Sequence, residues 1–299
     1  MSAADWTPLR VHEDADLFLE AVSFTAAQTG FTPGLIEKDY FCSVVLQYLA
    51  AQPESPLVFK GGTCLAKVHA DFYRLSEDLD FVIPMPLEAK RRDRRERIVE
   101  VKQAAEALSK RPPGLTWRQP LAGSNESRQY FGSIGYPSLL TGLGERIKIE
   151  VGLREPLLIP PCRQAARTAL RDPVTGDAMV PDLHILSIDL REALAEKTRA
   201  ALTRREPAVR DFFDLDHALG HGLLRFDDDE FIELVRLKLA VPGNEPVNVG
   251  PERLNALRGQ LVTRLKSVLR ERDYSGFDLE RILERVLWCG RMVGEVEKG

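Results

Sequence analysis

The sequence is short of the residues that define several common protein classes. Its 299 residues include only four cysteines, and no two of them form a CxxC pair. A zinc ribbon and a thioredoxin-like redox centre are therefore excluded, and buried free thiols are expected. The four are Cys42, Cys64, Cys162 and Cys289. No run approaches the roughly 20 apolar residues that span a bilayer, so no membrane partner is expected.

A strong excess of charge of either sign is also missing. Lys and Arg number 41 against 45 Asp and Glu, which gives a formal net charge of −4. The hydrophobic fraction of 44% and the charged fraction of 29% are those of a globular protein and exclude a disordered or collagen-like chain. The acidic balance argues against a surface coated for indiscriminate nucleic-acid binding, but it allows a local basic groove.

Several familiar signatures are absent as well. The sequence holds no P-loop, no dinucleotide fingerprint and no HExxH motif. His217 and His221 have the spacing of a helical zinc pair, but without that motif they are interpreted as ordinary core or surface histidines. The first ten residues are polar and lack the basic and apolar regions of a secretory signal, so a cytoplasmic location is expected.

Hydrophobic patterning predicts an α/β fold class with two parts. Strands are expected over about 57–59, 78–83, 124–136 and 146–153, with helices between them. After residues 160–161, a Pro-Pro pair, only helices are expected, the first opened by a capping box of Asp189 and Glu192. We therefore expect a small mixed sheet with flanking helices in residues 1–186 and a helical domain in 187–299 that closes one side of a cleft.

Two carboxylates form the clearest candidate site. Asp78 and Asp80 alternate on a predicted strand and so point to the same side, as bridging one or two hard divalent cations requires. Aspartates at a strand edge more often serve only solubility. The alternation in 146–153 also places Glu150 on a polar strand face, where it is either a third functional carboxylate or an ordinary exposed acid.

A glycine turn precedes these carboxylates. Gly61 and Gly62 follow a short strand and open a helix, and such a turn offers backbone N–H groups to a phosphate. Side chains near it add cations and hydroxyls that could contact a triphosphate, although each hydroxyl could instead satisfy a turn. These side chains are Lys60, Thr63, Arg74 and Ser76. Together with the carboxylates they favour metal-assisted phosphoryl chemistry over a solubilising role.

At this level the sequence resembles a known family. Segments 59–63 (FKGGT) and 74–80 (RLSEDLD) resemble the signature of AbiEii/AbiGii-type nucleotidyltransferase toxins, the MenT group included, within the DNA polymerase β-like nucleotidyltransferase superfamily. Segments 37–40 (EKDY), 196–197 (EK) and 210–215 (RDFFDL) also match. The resemblance thus extends over about residues 36–216, and the final helices carry no matching motif.

The resemblance implies roles for individual residues. Asp78 and Asp80 would bind Mg²⁺ or Mn²⁺, and Glu150 would help to deprotonate the acceptor hydroxyl. Lys197 would contact the triphosphate of an NTP substrate, its alternative being a lysine that extends to solvent. Asp211 would be the late functional aspartate of the family. Asp214, on the same helix face, could instead hold Arg210 or cap the turn.

The resemblance further implies a bacterial toxin that has a cognate antitoxin and transfers NMP from an NTP to an RNA acceptor, the tRNA 3′ end. A small molecule or a protein side chain is the alternative acceptor, and a binding module with a lapsed site is a third reading. The basic run at 90–97 and the cluster of Arg199, Arg204 and Arg205 would contact RNA phosphates, unless the run is a solvated helix face. Phosphorylation of Ser76 would repel the NTP and switch the enzyme off.

Overall fold

The computed structural model describes residues 9–51, 54–108, 114–248, 250 and 252–295. The chain divides into two compact units, the first made of Met1–Pro156 and Pro161–Ile188 and the second of Leu157–Pro160 and Asp189–Gly299. The first unit mixes strands and helices, and the second is helical in its described part. The fold class is therefore α/β, as the sequence predicts. The sequence predicts the boundary between residues 186 and 187, whereas the first unit ends at Ile188.

Seven strands in the described residues of the first unit form one mixed sheet in the order β3-β4-β5-β2-β1-β7-β6. β2 runs antiparallel to β1 and parallel to β5, and β1 runs parallel to β7. The strands are β1 (Val58–Lys60), β2 (Asp78–Val82), β3 (Thr116–Ser124), β4 (Gln129–Pro137), β5 (Gly144–Gly152), β6 (Cys162–Ala166) and β7 (Leu183–Ser187).

The alternation that predicts β5 also determines which side of the sheet is buried. Ile147, Ile149 and Val151 are buried, whereas Lys148 is exposed and Glu150 is half-buried. Successive strand residues point to opposite faces, so the apolar set packs into the core and the polar set forms the opposite face. The predicted polar position of Glu150 is thus confirmed.

Three of the strands are not predicted from the sequence, and one expected strand is interrupted. β3, β6 and β7 lack a clean apolar-polar alternation, and β3 is a mostly exposed edge strand with register shifts against β4. The expected strand at 124–136 is broken by Asn125–Ser127, where all three residues have positive φ angles of 46°, 53° and 62°. Left-handed backbone cannot continue a β ladder, so the chain reverses there between β3 and β4.

Local signals place the helices of the first unit correctly. Asp14 caps α1 by accepting a hydrogen bond from the Leu17 N–H, and Gly30 ends it with a φ of 81°. Pro33 occupies the first turn of α2. The helices are α1 (Ala15–Thr29), α2 (Pro33–Leu49), α3 (Gly61–Cys64), α4 (Arg91–Arg97) and α5 (Val99–Leu108), and α3 continues into a π-helical turn at Leu65–His69.

α2 is buried on nearly every side, and its polar residues have internal partners. Glu37 accepts hydrogen bonds from the Ser138 hydroxyl at 2.7 Å and from the Leu139 N–H at 2.7 Å. Asp39 lies 2.8 Å from the fully buried Lys67 ammonium and accepts from the Ala169 N–H. Burial of a charge is tolerated only with such pairing, so α2 is tied to the loops around it.

The second unit contains α6 (Leu190–Thr203), α7 (Val209–Gly220), α8 (Asp229–Leu239), α9 (Glu252–Arg258), α10 (Glu271–Ser275) and α11 (Leu279–Glu295). Asp189 caps α6 as expected. Glu192 acts differently from the predicted capping box, because its carboxylate accepts from the Leu158 and Ile159 N–H groups and pairs with Lys238 at 2.6 Å. It thereby holds segment 157–160 to the helical unit.

Two further expectations concern the cysteines and membrane-spanning helices. Cys42, Cys64 and Cys289 are buried free thiols as predicted, and burial raises the pKa of each of them. Cys162 is exposed on β6, so the expectation of a buried thiol is wrong for that residue. Over the described ranges, none of the helices combines the length and the apolar character needed to cross a membrane.

Candidate functional site

The predicted carboxylates lie side by side on the polar face of the sheet. In the strand register Asp80 of β2 is the partner of Lys60 on β1 and of Glu150 on β5. Asp78 is the partner of Lys148. Neighbouring strands of a sheet lie about 4.8 Å apart, so the sheet brings two acids of β2 and one of β5 into a single group with a lysine at its edge.

The glycine turn packs directly against this group. Gly61 has a φ of 76°, and a Cβ atom there would lie 2.2 Å from an Asp80 carboxylate oxygen. A Cβ atom on Gly62 would lie 2.3 Å from Nη2 of Arg74 and 3.3 Å from Oγ of Ser76. Neither position has room for a side chain, so the two glycines permit Asp80, Arg74 and Ser76 to converge on the turn.

Two side chains that are predicted to contact the nucleotide also have partners within the protein. The Thr63 side chain is buried, and its hydroxyl donates to the backbone carbonyl of Asp78, which holds the start of β2 against the turn. Arg74 is only 2% exposed and lies against Gly62 rather than in solvent. The predicted contact of the Arg74 guanidinium with a triphosphate therefore stays a prediction, and the structure places that guanidinium against the glycine turn.

Ser76 lies next to the turn for a different reason than the one predicted. β2 begins at Asp78, so strand alternation does not place Ser76 on the side of the carboxylates. Its hydroxyl nevertheless lies beside Gly62, and the residue is half-buried. The segment between the π-helical turn and β2 therefore brings Ser76 to the glycine turn.

The upstream EKDY segment supports the site from α2. Lys38 forms an ion pair of 3.0 Å with Glu77, the residue before Asp78. Asp39 pairs with Lys67, whose ammonium also donates to the Ser43 hydroxyl and the Arg167 carbonyl. Sequence reasoning missed Lys67, since nothing in the pattern of a lysine between apolar residues distinguishes a buried ion pair from a surface charge.

A cavity of about 400 Å³ opens on the polar face beside the carboxylates. Its walls include both acids of β2, Glu150, and a set of side chains from β3, β4 and β5. We call this set the β3–β5 face. It consists of Gln119, Phe131, Ser133, Arg146 and Lys148. Sequence reasoning missed it as a site, although the alternation of Arg146 and Lys148 with buried isoleucines in β5 was a usable signal.

The donor chemistry of this group suits a hard divalent cation. Asp78, Asp80 and Glu150 supply carboxylate oxygens, which are the ligands that Mg²⁺ and Mn²⁺ prefer. Within the part of the chain that the structure describes, no group of three or more His, Cys, Asp or Glu side chains is arranged to hold a metal ion. Mg²⁺ is usually held by one or two carboxylates together with substrate phosphates and water. The carboxylates therefore fit the metal in its usual substrate-assisted form.

The later predicted residues form a separate group within the second unit. The Lys197 ammonium lies 2.8 Å from Asp211 and 2.9 Å from Asp214. Arg204 reaches Asp211 at 3.0 Å. Both acids are buried, and the lysine side chain is 14% exposed. Lys197 is thus an anchored cation rather than one that extends to solvent, and Asp214 pairs with it rather than only capping a turn.

One arginine of the basic 90–97 run does not face solvent. Arg94 of the 90–97 run is buried, and it donates to the carbonyls of Ala89 and Glu126. It is therefore a structural residue, and the expected phosphate contact is wrong for it.

The rings of His217 and His221 stack at 4.0 Å, and burial together with His221 lowers the pKa of His217 to about 4. The packing of the two rings against each other agrees with their interpretation as ordinary histidines.

Several solved structures are similar to this chain over most of its length. The chain is similar to two solved structures: JHP933 from Helicobacter pylori (14% identity, 98% of this chain and 96% of that chain, TM-score 0.44) and the MenT4 nucleotidyltransferase toxin from Mycobacterium tuberculosis H37Rv (20% identity, 96% and 97%, TM-score 0.44). No curated protein matches.

The family model of the nucleotidyl transferase AbiEii toxin, from type IV toxin–antitoxin systems, matches residues 45–285. This span includes the glycine turn, the carboxylates of β2 and β5 and the Lys197 group. The resemblance in the short motifs is confirmed over most of the chain. The protein belongs to the AbiEii nucleotidyl transferase toxin family.

Proposed function

We propose that the protein transfers NMP from an NTP to a hydroxyl of RNA, the 3′ end of tRNA in particular, and releases pyrophosphate. It would act in the cytoplasm and be controlled by a cognate antitoxin. The observation that carries the proposal is the convergence of Asp78, Asp80 and Glu150 beside a glycine turn that has no room for side chains. Membership of a nucleotidyl transferase toxin family supports the reaction class.

In the proposed reaction, the acceptor oxygen attacks the α-phosphorus of the NTP. A new P–O bond forms, the bond from the α-phosphorus to the β-phosphate oxygen breaks, and pyrophosphate leaves with that electron pair. Glu150 receives the proton of the acceptor hydroxyl. The Gln129 side-chain amide donates to Glu150 at 3.3 Å and would orient the carboxylate for this step.

Asp78 and Asp80 would hold Mg²⁺ or Mn²⁺, which when bound neutralises phosphate charge and activates the attacking oxygen. The N–H groups of the turn at Gly61 and Gly62 and the ammonium of Lys60 would bind the triphosphate. Ser76 would donate to a phosphate oxygen. Arg74 and Thr63 would act as positioning residues, because one packs under the turn and the other fixes the start of β2.

We also propose that Lys197 provides a cation for the triphosphate and that Asp211 and Asp214 position it. Two carboxylates within 3 Å hold the ammonium in one orientation, at the loss of part of its charge. Arg204, on Asp211, restores positive charge to the group. A preoriented cation stabilises developing negative charge better than a mobile one.

The proposed acceptor is tested by incubating purified protein with each labelled NTP and, separately, total tRNA, total cell protein and an aminoglycoside. We expect label in tRNA, removable by a 3′ exonuclease, and pyrophosphate release that depends on a divalent cation. Label in protein or in the aminoglycoside but not in RNA would contradict the proposed acceptor and support the alternative one. The absence of label in every acceptor would contradict the transfer reaction itself.

Phosphorylation of Ser76 is proposed as the switch that an antitoxin would promote. A phosphate brings about −1.5 to −2 charges at neutral pH, here beside Gly62 and the carboxylates of β2. It would occupy the place of the NTP phosphates and repel them. We expect Ser76→Asp to lower transfer at least about tenfold, because a fixed carboxylate repels the same phosphates, and Ser76→Ala to retain most of it.

The measurement is transfer to tRNA with the NTP concentration varied, together with mass spectrometry of protein co-expressed with its neighbouring gene product. The expected defect of Ser76→Asp is a raised KM for the NTP. Ser76→Asn is the matched control, since it has the same size without the charge. A Ser76→Asp enzyme as fast as Ser76→Asn would argue against the switch.

A further inference from the structure

The β3–β5 face has an arrangement that the transfer reaction as proposed does not use. In the strand register Phe131 is the partner of Glu150, and Ser133 is the partner of Lys148. Gln119 of β3 is in turn the partner of Ser133. The polar row therefore continues from the carboxylates of β2 and β5 across β4 to β3, and the cavity of about 400 Å³ follows it.

Phe131 is the unusual member of this row. It is 39% exposed, although its neighbours along β4 are buried on the core side of the sheet. An aromatic ring on a polar strand face contributes little to the core. Proteins that bind single-stranded nucleic acids use such rings as platforms on which a base stacks.

Three cations lie on the same face of the sheet as the ring. Arg146 and Lys148 are exposed on β5 and alternate toward the polar face. The Arg118 side chain lies over β4 and β5, since a Cβ atom on Gly135 would lie 2.5 Å from its Nε and a Cβ atom on Gly144 would lie 2.8 Å from its Nη2. Two of the three cations line the cavity together with Phe131. Exposed cations spaced along a strand face are suited to backbone phosphates.

The geometry of the reaction indicates which substrate belongs on this face. In phosphoryl transfer the attacking and leaving oxygens lie roughly in line on opposite sides of phosphorus. The glycine turn follows β1, on one side of β2, whereas the cavity extends over β5 and β4 on the other side. If the leaving pyrophosphate lies at the turn, the attacking hydroxyl must approach from the β3–β5 face.

We propose that the β3–β5 face binds the unpaired 3′-terminal nucleotides of the acceptor strand. The ring of Phe131 stacks on a base, and Arg146, Lys148 and Arg118 contact the phosphates. The 3′ hydroxyl is thereby directed to Glu150. This assignment rests on the proposed function, in that it takes RNA to be the acceptor. It replaces the 90–97 run as the expected phosphate contact nearest to the chemistry.

An unpaired strand is favoured over a duplex by the observations. A base within a duplex is already stacked on both sides and cannot lie on a protein ring without being extruded. The cavity volume lies within the range of sites for small ligands, so it accommodates individual nucleotides rather than the width of a helix. Double-stranded RNA of the same sequence therefore serves as the discriminating probe.

The test measures binding without catalysis. A short single-stranded RNA with a 5′ fluorophore and a free 3′ hydroxyl is titrated with the full-length protein in the absence of NTP, and anisotropy is recorded over a series of salt concentrations. We expect Phe131→Leu to weaken binding about tenfold and Phe131→Tyr to leave it unchanged, because stacking needs an aromatic ring rather than apolar volume.

The charge variant combines Arg146→Ala with Lys148→Ala. We expect it to reduce the magnitude of the slope of log K against log salt by about 1.4, as the loss of two phosphate contacts to a single strand predicts. Its matched control combines Arg163→Ala with Arg171→Ala. Both of these residues are exposed cations of the same unit outside the face, and their removal should leave the slope unchanged.

The failure of this inference can be told apart from the failure of the proposed function. Wild-type protein that modifies tRNA, with Phe131→Leu and the charge variant binding RNA as tightly as wild type, would overturn the inference and leave the function standing. An equal effect of the control pair, or equal binding of duplex and single strand, would also overturn it. Label found only in protein or aminoglycoside would contradict the function, whatever the titration gives.

Discussion

Replacing Asp80 with asparagine is expected to reduce NMP transfer at least about a thousandfold without unfolding the protein. The loss of one charged metal ligand removes several kcal/mol of transition-state stabilisation, and about 4 kcal/mol corresponds to a thousandfold in rate. Asparagine is the suitable replacement because the side chain of Asp80 fills the space over Gly61. A smaller residue would open that contact and confuse a packing defect with a chemical one.

The measurement combines turnover with thermal unfolding. We expect the melting temperature of Asp80→Asn to remain close to that of wild type, since a half-buried carboxylate on the polar face contributes little to the core. Asp182→Asn, at an exposed position before β7, is the matched control and should change neither quantity. Wild-type turnover by Asp80→Asn would contradict the proposal that Asp80 binds the metal ion. A large fall in melting temperature would show a structural role instead.

The first half of this site could be predicted from the sequence because its parts are close in the chain. Gly61, Gly62, Asp78 and Asp80 belong to one strand-turn-helix-strand segment, and their spacing alone suggests phosphate and metal chemistry. Glu150 required more, since its place beside Asp80 depends on a parallel pairing of β2 with β5. The alternation in β5 predicts the sheet face on which Glu150 lies. It does not predict that Asp80 is the residue beside it, because pairing between distant strands is not a local property.

The functions of cations were the least predictable part. Arg74, Arg94 and Lys67 are all buried and satisfied by carbonyls, carboxylates or packing. The sequence pattern gives no sign of this, since a basic residue beside a glycine turn or in a charged helix is on average exposed. Conversely, the exposed cations Arg146 and Lys148 belong to β5, which was predicted, whereas the exposed Arg118 belongs to β3, which was not.

A second large effect is expected at two lysines of the helical unit. Lys197 and Lys238 have the same kind of environment: each ammonium lies close to two carboxylates, Asp211 and Asp214 for the first and Glu192 and Glu196 for the second. Removal of one partner of a buried pair leaves uncompensated charge, which costs about 3–5 kcal/mol. We expect Lys238→Met to lose about that much free energy of unfolding and Lys197→Met about 3 kcal/mol, since Lys197 is partly exposed.

The two variants differ in their expected activity, and this difference separates catalysis from structure. At a temperature at which both are folded, Lys238→Met should turn over within about twofold of wild type, because Lys238 is fully buried and cannot touch substrate. Lys197→Met should lose at least about a hundredfold, the usual effect of removing one preoriented charge-stabilising group. The defect should include a raised KM for the NTP. Equal turnover by the two folded variants would mean that Lys197, like Lys238, only neutralises buried acids, and that the proposed cation for the triphosphate must be sought elsewhere.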